Sequence, residues 1–445
     1  MPQISCIKYA DVLEARRYDA EYFKPEYLEI EEKLQSKNYL CFDEFSFITD
    51  GIHNSIDFDE KSDVLLFSAK APKENFFDIS GLSHISEIQH KQNPRTALKE
   101  GDVIISTVGT IGNCAVITKD LLPANSDRHV GIIRSKNIPP FFISTFLLSK
   151  YGRMQSSRNV VGNVQPNLYI RDMKKFKIPI LPQSFQLQIE QIVKSAHQKQ
   201  TQSKKLYREA EELLLAELGL LDYQVKHSLW FTTTKNEVSE AHRYDSEYFQ
   251  PKYAEIIKKI EKYDGGWDLV KNTVKFKDKN HTPKRDQKYK YLALSNISSQ
   301  GYIQDYQEEF GKDLPSRARR KINTNDLIIS SIEGSLSSCA LVEKEFDDSI
   351  CSTGFFVLNS EKINSETLLI LFKSLVIQEL LQRGSKGTIL TAISKTELEL
   401  IKIPLINQSI QNQIAEKIQE SHKLRKESKE LLEEAKRKVE EEIEK

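Results

Sequence analysis

The feature that most constrains this chain is a long stretch, 178–218, that occurs a second time 225 residues later. Ile178-Pro179 returns as Ile403-Pro404, and Gln183, Ser184, Gln186, Gln188 and Ile189 return as Gln408, Ser409, Gln411, Gln413 and Ile414. His197, Ser203, Lys204, Leu206, Glu209 and Ala210 come back as His422, Ser428, Lys429, Leu431, Glu434 and Ala435. So many identities at one offset mark an internal duplication. A duplicated chain of 445 residues reads as two copies of one domain rather than one large core.

Within the first copy, Ile189, Ile192, Ala196, Ser203, Leu206, Ala210 and Leu213 recur three, four or seven apart among Lys, Glu and Gln. The second copy carries Ile414, Ile418, Ser421, Leu424, Leu431, Leu432, Ala435 and Val439 along a similar seam. From Gln183 and from Gln408 onward neither helix contains Gly or Pro. These are long amphipathic helices with narrow apolar stripes, and each stripe needs a partner. Pairing the two copies antiparallel inside one chain is the economical solution.

Lys plus Arg equals Asp plus Glu at 64 each, so the chain as a whole is not coated in positive charge, although local patches are allowed. The five cysteines are scattered and form no Cys-x-x-Cys pair, and Met1 to Ala10 does not read as a signal peptide. A reduced, cytoplasmic protein is expected. The longest apolar run, near Leu368 to Phe372, is too short to span a bilayer, so no membrane partner is expected.

A second repeated landmark opens each half. Arg17-Tyr18-Asp19-Ala20-Glu21-Tyr22-Phe23-Lys24-Pro25-Glu26-Tyr27 returns at an offset of 226 as Arg243-Tyr244-Asp245-Ser246-Glu247-Tyr248-Phe249-Gln250-Pro251-Lys252-Tyr253. Pro25 and Pro251 suit a first helical turn, and Tyr27, Ile30, Leu34 and Tyr253, Ile256, Ile260 follow at helical spacing. The Arg and Asp read equally well as an ion pair docking this helix onto its own domain.

Between landmark and long helix, each half reads as short strands punctuated by Gly, Pro, Asn and Asp. Asp102-Val103-Ile104-Ile105-Ser106 and Cys114-Ala115-Val116-Ile117 are repeated as Asp326-Leu327-Ile328-Ile329-Ser330 and Cys339-Ala340-Leu341-Val342. Cys114 and Cys339 hold equivalent strand positions and read as small core residues, not as catalytic thiols. Gly162-Asn163-Val164-Gln165-Pro166-Asn167-Leu168 aligns with Gly387-Thr388-Ile389-Leu390-Thr391-Ala392-Ile393, where the amides are gone. Other loops diverge more, as in 90–95 against 315–321. A constant frame with variable polar loops suits two readers of two different targets.

On these residues the chain resembles the specificity subunit of a type I restriction-modification system. The resemblance covers essentially the whole chain and rests on the doubled Arg-Tyr-Asp-x-Glu-Tyr-Phe-x-Pro-x-Tyr, the Gly-Asp-Val-Ile-Ile-Ser-Thr strand, and Gln-Pro-Asn-Leu followed by Ile-Pro-x-x-x-Gln. The fold it implies is α+β: two internally repeated target-recognition domains, each mostly β with short helices, linked by two long helices forming an antiparallel coiled coil. The boundaries would be 1–182 and 223–407 for the recognition domains, with spacer helices at 183–222 and 408–445. The implied function is non-catalytic reading of a split target in double-stranded DNA. Two methyltransferase (modification) subunits would dock on the helices and restriction motor subunits would join them. S-adenosylmethionine, ATP and Mg are then expected only on those partners, and this chain needs no cofactor or metal.

The residues agree with that division of labour. The nearest match to an Asn/Asp-Pro-Pro-aromatic base-holding loop is Asn137-Ile138-Pro139-Pro140-Phe141, whose position before the prolines is the apolar Ile138. No Walker-type phosphate loop occurs, and the histidines lack metal-ligand spacing; His197 and His422 read as solvated helix residues. For DNA contact the strongest signal is Lys271 to Lys290, with eight cations against Asp278 and Asp286, or 8 − 2 = +6. Its candidates are Lys277, Lys279, Asn280, Lys284, Arg285 and Lys288, with Arg317, Arg319, Arg320 and Lys321 as a second cluster. The first half offers Lys91, Gln92, Asn93 and Arg95, then Arg128, Arg158 and Asn163. Phosphate anchors mixed with amides are what groove reading requires.

A helix of about 33 residues spans roughly 50 Å, enough to hold two readers over neighbouring turns about 34 to 36 Å apart. The rival readings are a coiled-coil adaptor that binds only proteins, which leaves the basic loops unexplained, and an enzyme with a cryptic nuclease site.

Overall fold

The computed structural model describes residues 4–162, 164–298, 300–386 and 391–445. They form two compact units, Met1–Thr201 with Leu424–Lys445, and Gln202–Lys423. Both long helices, Gln183–Glu217 and Gln408–Glu444, therefore contribute residues to both units.

In the first unit the Ser428 hydroxyl donates to the Ala196 carbonyl at 2.8 Å, and Lys199 meets Glu427 at 2.5 Å. In the second, Ser203 and Ser421 each donate to the other's carbonyl at 2.8 Å, and Lys417 meets Glu209 at 2.6 Å. Partner numbers fall on one helix as they rise on the other, so the paired segments run antiparallel in each unit.

The short helix after each landmark forms as the prolines suggest, over Pro25–Gln35 and Pro251–Glu261. Each unit then builds a four-stranded antiparallel frame sheet. Its order is Ser46–Asp50, Val130–Ser135, Val103–Ser106, Cys114–Val116 in the first unit. The second unit repeats it with Lys275–Phe276, Phe355–Asn359, Leu327–Ser330, Cys339–Leu341. Val103–Ser106 and Leu327–Ser330 are buried on both faces, which is why they read as continuous apolar runs. Cys114 and Cys339 are fully buried, and burial pushes both thiols up to about 12. They are core residues.

One helix in each unit has no polar face to give to water. In Pro140–Leu148 every residue from Phe141 to Leu148 is buried, and in Ser365–Lys373 the run from Glu366 to Phe372 is buried. Such a helix must be covered all round. The first shares a core with Ile105 and Val116 of the frame sheet and with Val193, Ala196, Ala435 and Val439 of the long helices. The second does the same with Leu327, Leu341, Tyr207, Ala210, Ile414 and Ile418. The narrow stripe of each long helix is thus shared between the opposing helix and the globular part.

This sharing corrects the reading of His197 and His422 as solvated. The His197 ring lies 4.7 Å from Phe76 and 5.2 Å from Phe141, with Nε2 at 2.7 Å from the Asn75 carbonyl oxygen. The His422 side chain is 12% exposed, and its Nδ1 is 3.3 Å from Glu343. Helical spacing places both beside the apolar stripe, and the stripe is where the globular part packs.

A second sheet carries the variable loops. In the first unit it has three strands, ordered Ser83–His84, Leu65–Phe67, Ala124–Ser126. In the second it has four, ordered Gln307–Phe310, Lys288–Leu292, Ile350–Ser352, Ala318–Lys321. Both contain one parallel pair, Leu65 beside Ala124 and Tyr291 beside Ile350.

Candidate nucleic-acid interface

The connection leaving the first frame strand organises the candidate surface of each unit. In the second unit it runs from Lys277 to Gln287 and lies along Ala318–Lys321: Asn280 bridges Arg320, and the His281 N–H donates to the Arg319 carbonyl at 2.8 Å. Farther on, the Gly311 N–H donates to the Gln287 carbonyl at 2.9 Å and the Lys312 N–H to that of Arg285 at 3.2 Å. The two basic clusters therefore touch at the edge strand Ala318–Lys321, and the connection then crosses to the opposite edge, where 284–288 lie beside Gln307–Phe310 and the 311–312 turn. Lys279, Asn280, Lys284, Arg285, Lys288 and Arg317 are exposed along this path.

Several of these cations already have partners. Lys288 faces Glu308 at 3.7 Å, Lys321 pairs with Asp348, and Arg319 Nε donates to the Ser316 carbonyl at 3.0 Å. Arg320 is half-buried. Lys277 is committed to the frame: its ammonium lies 2.8 Å from Asp326, whose side chain is 2% exposed, and 3.3 Å from Asn323. Neutralising that buried carboxylate is its evident role.

In the first unit a helix, Glu87–Gln92, stands near the corresponding edge. Lys91 pairs with Glu87 at 3.0 Å, Gln92 is exposed, and Asn93 closes the helix by donating its amide to the Gln89 carbonyl at 2.8 Å. Arg95 reaches across to Thr49 and, at 3.4 Å, to Asp50, which also holds His53 at 2.6 Å. Arg128 is exposed, with Nε 3.5 Å from His129. Asn125 lies 3.4 Å from His90, and the Ile52 N–H donates to the Ser126 carbonyl at 2.8 Å. The end of the first frame strand, the short helix and the 125–129 loop therefore converge.

Arg158 is far from this convergence. It is 10% exposed, donates to the Tyr22 carbonyl at 2.9 Å, pairs with Glu31 and stacks 4.2 Å from the Tyr22 ring centroid. Arg17 packs on the same ring at 4.9 Å while pairing with Asp19 at 2.7 Å. The second unit repeats the clamp: Arg383 and Arg243 lie 4.3 and 4.7 Å from the Tyr248 ring, and Arg243 pairs with Asp245 at 2.5 Å. The doubled Arg-Tyr-Asp is thus a docking device, and Arg158 belongs to it. Asn163 lies outside the described residues, as do 387–390 of the aligned loop. The anchor of that loop is retained in both halves, with the Leu168 N–H donating to Thr107 and the Ile393 N–H to Ser331, each at 2.9 Å.

Sequence reasoning missed Asp50, His53, His90 and Asn125. The signal was present, since Asp50-Gly51-Ile52-His53 and Asp278-Lys279-Asn280-His281 share an Asp-x-x-His spacing where the chain leaves the first frame strand. It was hidden because this match sits at an offset of 228, while the flanking ones sit at 226 and 224.

The duplication seen in these two edges is matched by a family model for the type I restriction modification DNA specificity domain, which fits residues 44–212 and again 267–437. The chain belongs to this family. Each specificity-domain match takes in one frame sheet, one second sheet and most of one long helix, so the family's unit is the repeated unit of this fold. Among solved structures, the type I restriction-modification S subunit from M. genitalium is 12% identical, covers 92% of this chain and 96% of its own, and has a TM-score of 0.45. The HsdS subunit from Thermoanaerobacter tengcongensis is 13% identical, with 92% and 95% covered and a TM-score of 0.28. No described helix is long and apolar enough to cross a membrane.

Proposed function

We propose that this chain is the sequence-reading subunit of a type I restriction-modification assembly. Its two recognition domains, 1–182 and 223–407, each read one part of a split duplex target, and the helices at 183–222 and 408–445 act as the spacer. Two modification subunits dock on those helices and motor subunits join them in the cytoplasm. This chain carries out no covalent step; methyl donor, nucleotide and metal belong to the partners. The observation that carries the reading is the double match to the DNA specificity domain, in register with a repeated fold whose variable edges gather amides and cations.

The test is a genome-wide map of N6-methyladenine in the source strain with and without this chain. Loss of one split motif, two short defined parts around a fixed gap, is the expected result. If the map is unchanged while the chain co-purifies with a methyltransferase, the reading of DNA by this chain fails.

A further inference from the structure

We infer that the second unit supplies the salt-dependent grip on the DNA backbone and the first unit adds little to it, so one chain holds a duplex by two different physical means. The inference rests on the DNA-reading function proposed above and divides its electrostatic work between the units.

Connections that occupy the same place in the two units carry different charge. From the first frame strand to the second sheet, 51–64 holds Lys61 against Asp57, Asp59, Glu60 and Asp63, or 1 − 4 = −3. Its counterpart 277–287 holds Lys277, Lys279, Lys284 and Arg285 against Asp278 and Asp286, or 4 − 2 = +2. From the edge of the second sheet back to the inner frame strand, 85–102 balances three cations against three acids. Its counterpart 311–326 holds five against two, or 5 − 2 = +3.

Geometry sharpens the contrast. In the first unit Lys91 and Arg95 each face a carboxylate, at 3.0 and 3.4 Å. What these residues leave to a ligand is the Gln92 amide and one exposed cation, Arg128, whose Nε lies 3.5 Å from His129. In the second unit Lys279, Lys284, Arg285 and Arg317 are exposed, and among the described residues none has a carboxylate within 4.0 Å. Two of them, Lys284 and Arg285, are presented by a turn whose backbone is tied to Gly311 and Lys312, so their main chain is fixed before any ligand arrives. Four exposed cations without a carboxylate partner, spread along this connection and the start of the Ala318–Lys321 strand, suit phosphates of a duplex backbone, whose neutralisation releases counterions and makes affinity fall with salt.

The experiment measures binding of the full chain to a random-sequence duplex of about 40 base pairs at graded salt, where each phosphate contact contributes about 0.9 to the log–log slope. Joint substitution of Lys279, Lys284, Arg285 and Arg317 to Gln is expected to flatten the slope by about 3 to 4, so the affinity lost between about 50 and 200 mM salt shrinks roughly 10²-fold. Joint substitution of Lys91, Arg95 and Arg128 to Gln is expected to change the slope by less than about 1. Lys279→Arg with Lys284→Arg should keep the original slope. Equal flattening by the two Gln sets, or an unchanged slope in the second-unit set, overturns the division while leaving DNA reading intact. Absence of any salt-dependent duplex affinity in the unsubstituted chain overturns the DNA-reading function itself.

Discussion

Asp102 and Asp326 stand at the same place in the two units, at the entrance to the inner frame strand, and each is 1% exposed. Their local work is identical: the Lys99 N–H donates to Asp102 and the Asn323 N–H to Asp326, both at 2.8 Å. Their cations differ. Arg134, on the long neighbouring strand, grips Asp102 through Nε at 2.8 Å and a second nitrogen at 2.6 Å. The equivalent residue in the second unit is Asn359, 3.3 Å from Asp326, and the charge comes instead from Lys277, which follows the edge strand. A requirement set by the local turn kept its position through the duplication. A requirement met by tertiary contact was free to move to another strand.

That contrast can be broken most forcefully at the cations. Arg134→Met is expected to cost about 3–5 kcal/mol, because it strands a buried carboxylate. Lys277→Met should cost only about 1–2 kcal/mol, because Lys277 is partly solvent-screened and Asn323 and Asn359 still donate to Asp326. Hydrogen exchange at Val103–Ser106 and Leu327–Ser330 reads the units separately, and equal losses would refute the asymmetry. Thr49 matches Lys277 in strand register, so Thr49→Lys in an Arg134→Asn background should recover part of the loss.

The tyrosine clamps come next. Arg158→Ala removes the stack on Tyr22, the bond to its carbonyl and one of two cations on Glu31, for about 2–4 kcal/mol. Arg383→Ala removes the stack and the bond to the Tyr248 carbonyl, for about 1–2 kcal/mol. Urea unfolding of each variant, with exchange protection in Pro25–Gln35 and Pro251–Glu261, ranks them.

A smaller effect is expected at the paired helices. Ser421→Ala should cost about 1 kcal/mol by removing one of two reciprocal bonds. Ala196 is its counterpart in the first unit, facing Ser428. Ala196→Ser would restore reciprocity and should lie within about 1 kcal/mol of neutral; a larger loss would mean that the two crossings are not equivalent.

The smallest difference is in acid. Burial pushes the Glu31 carboxyl up, but hydrogen bonds from Lys177 and Arg158 outweigh it and hold the group below its ordinary 4.5. A depressed carboxylate stabilises the fold above its unfolded pKa and loses that contribution as pH falls through the folded value. The margin of the natural chain over Glu31→Gln in chemical denaturation should therefore close as pH drops below about 4.5. Ile257 holds this place in the second unit, so no such margin is expected there. A pH-independent margin would assign Glu31 a packing role alone.

Repetition, strand runs and helical stripes are local patterns. They make legible the duplication, the frame strands, the proline-started helices, the buried cysteines and the antiparallel long helices. Charge is not local in that sense. Lys277, Arg158 and Arg95 look like free surface cations when only their neighbours in sequence are visible, yet each is engaged by groups far along the chain: Asp326, Tyr22 with Glu31, and Thr49 with Asp50. His197 and His422 were misplaced for the same reason, since a helical stripe shows that a face is covered but not by what. Sequence alone determined that this protein is two copies of one sheet-and-helix unit with variable basic loops. Tertiary structure decided which cations neutralise buried acids and which remain free, because ion pairing depends on distances of a few ångströms between strands that no spacing along the chain encodes.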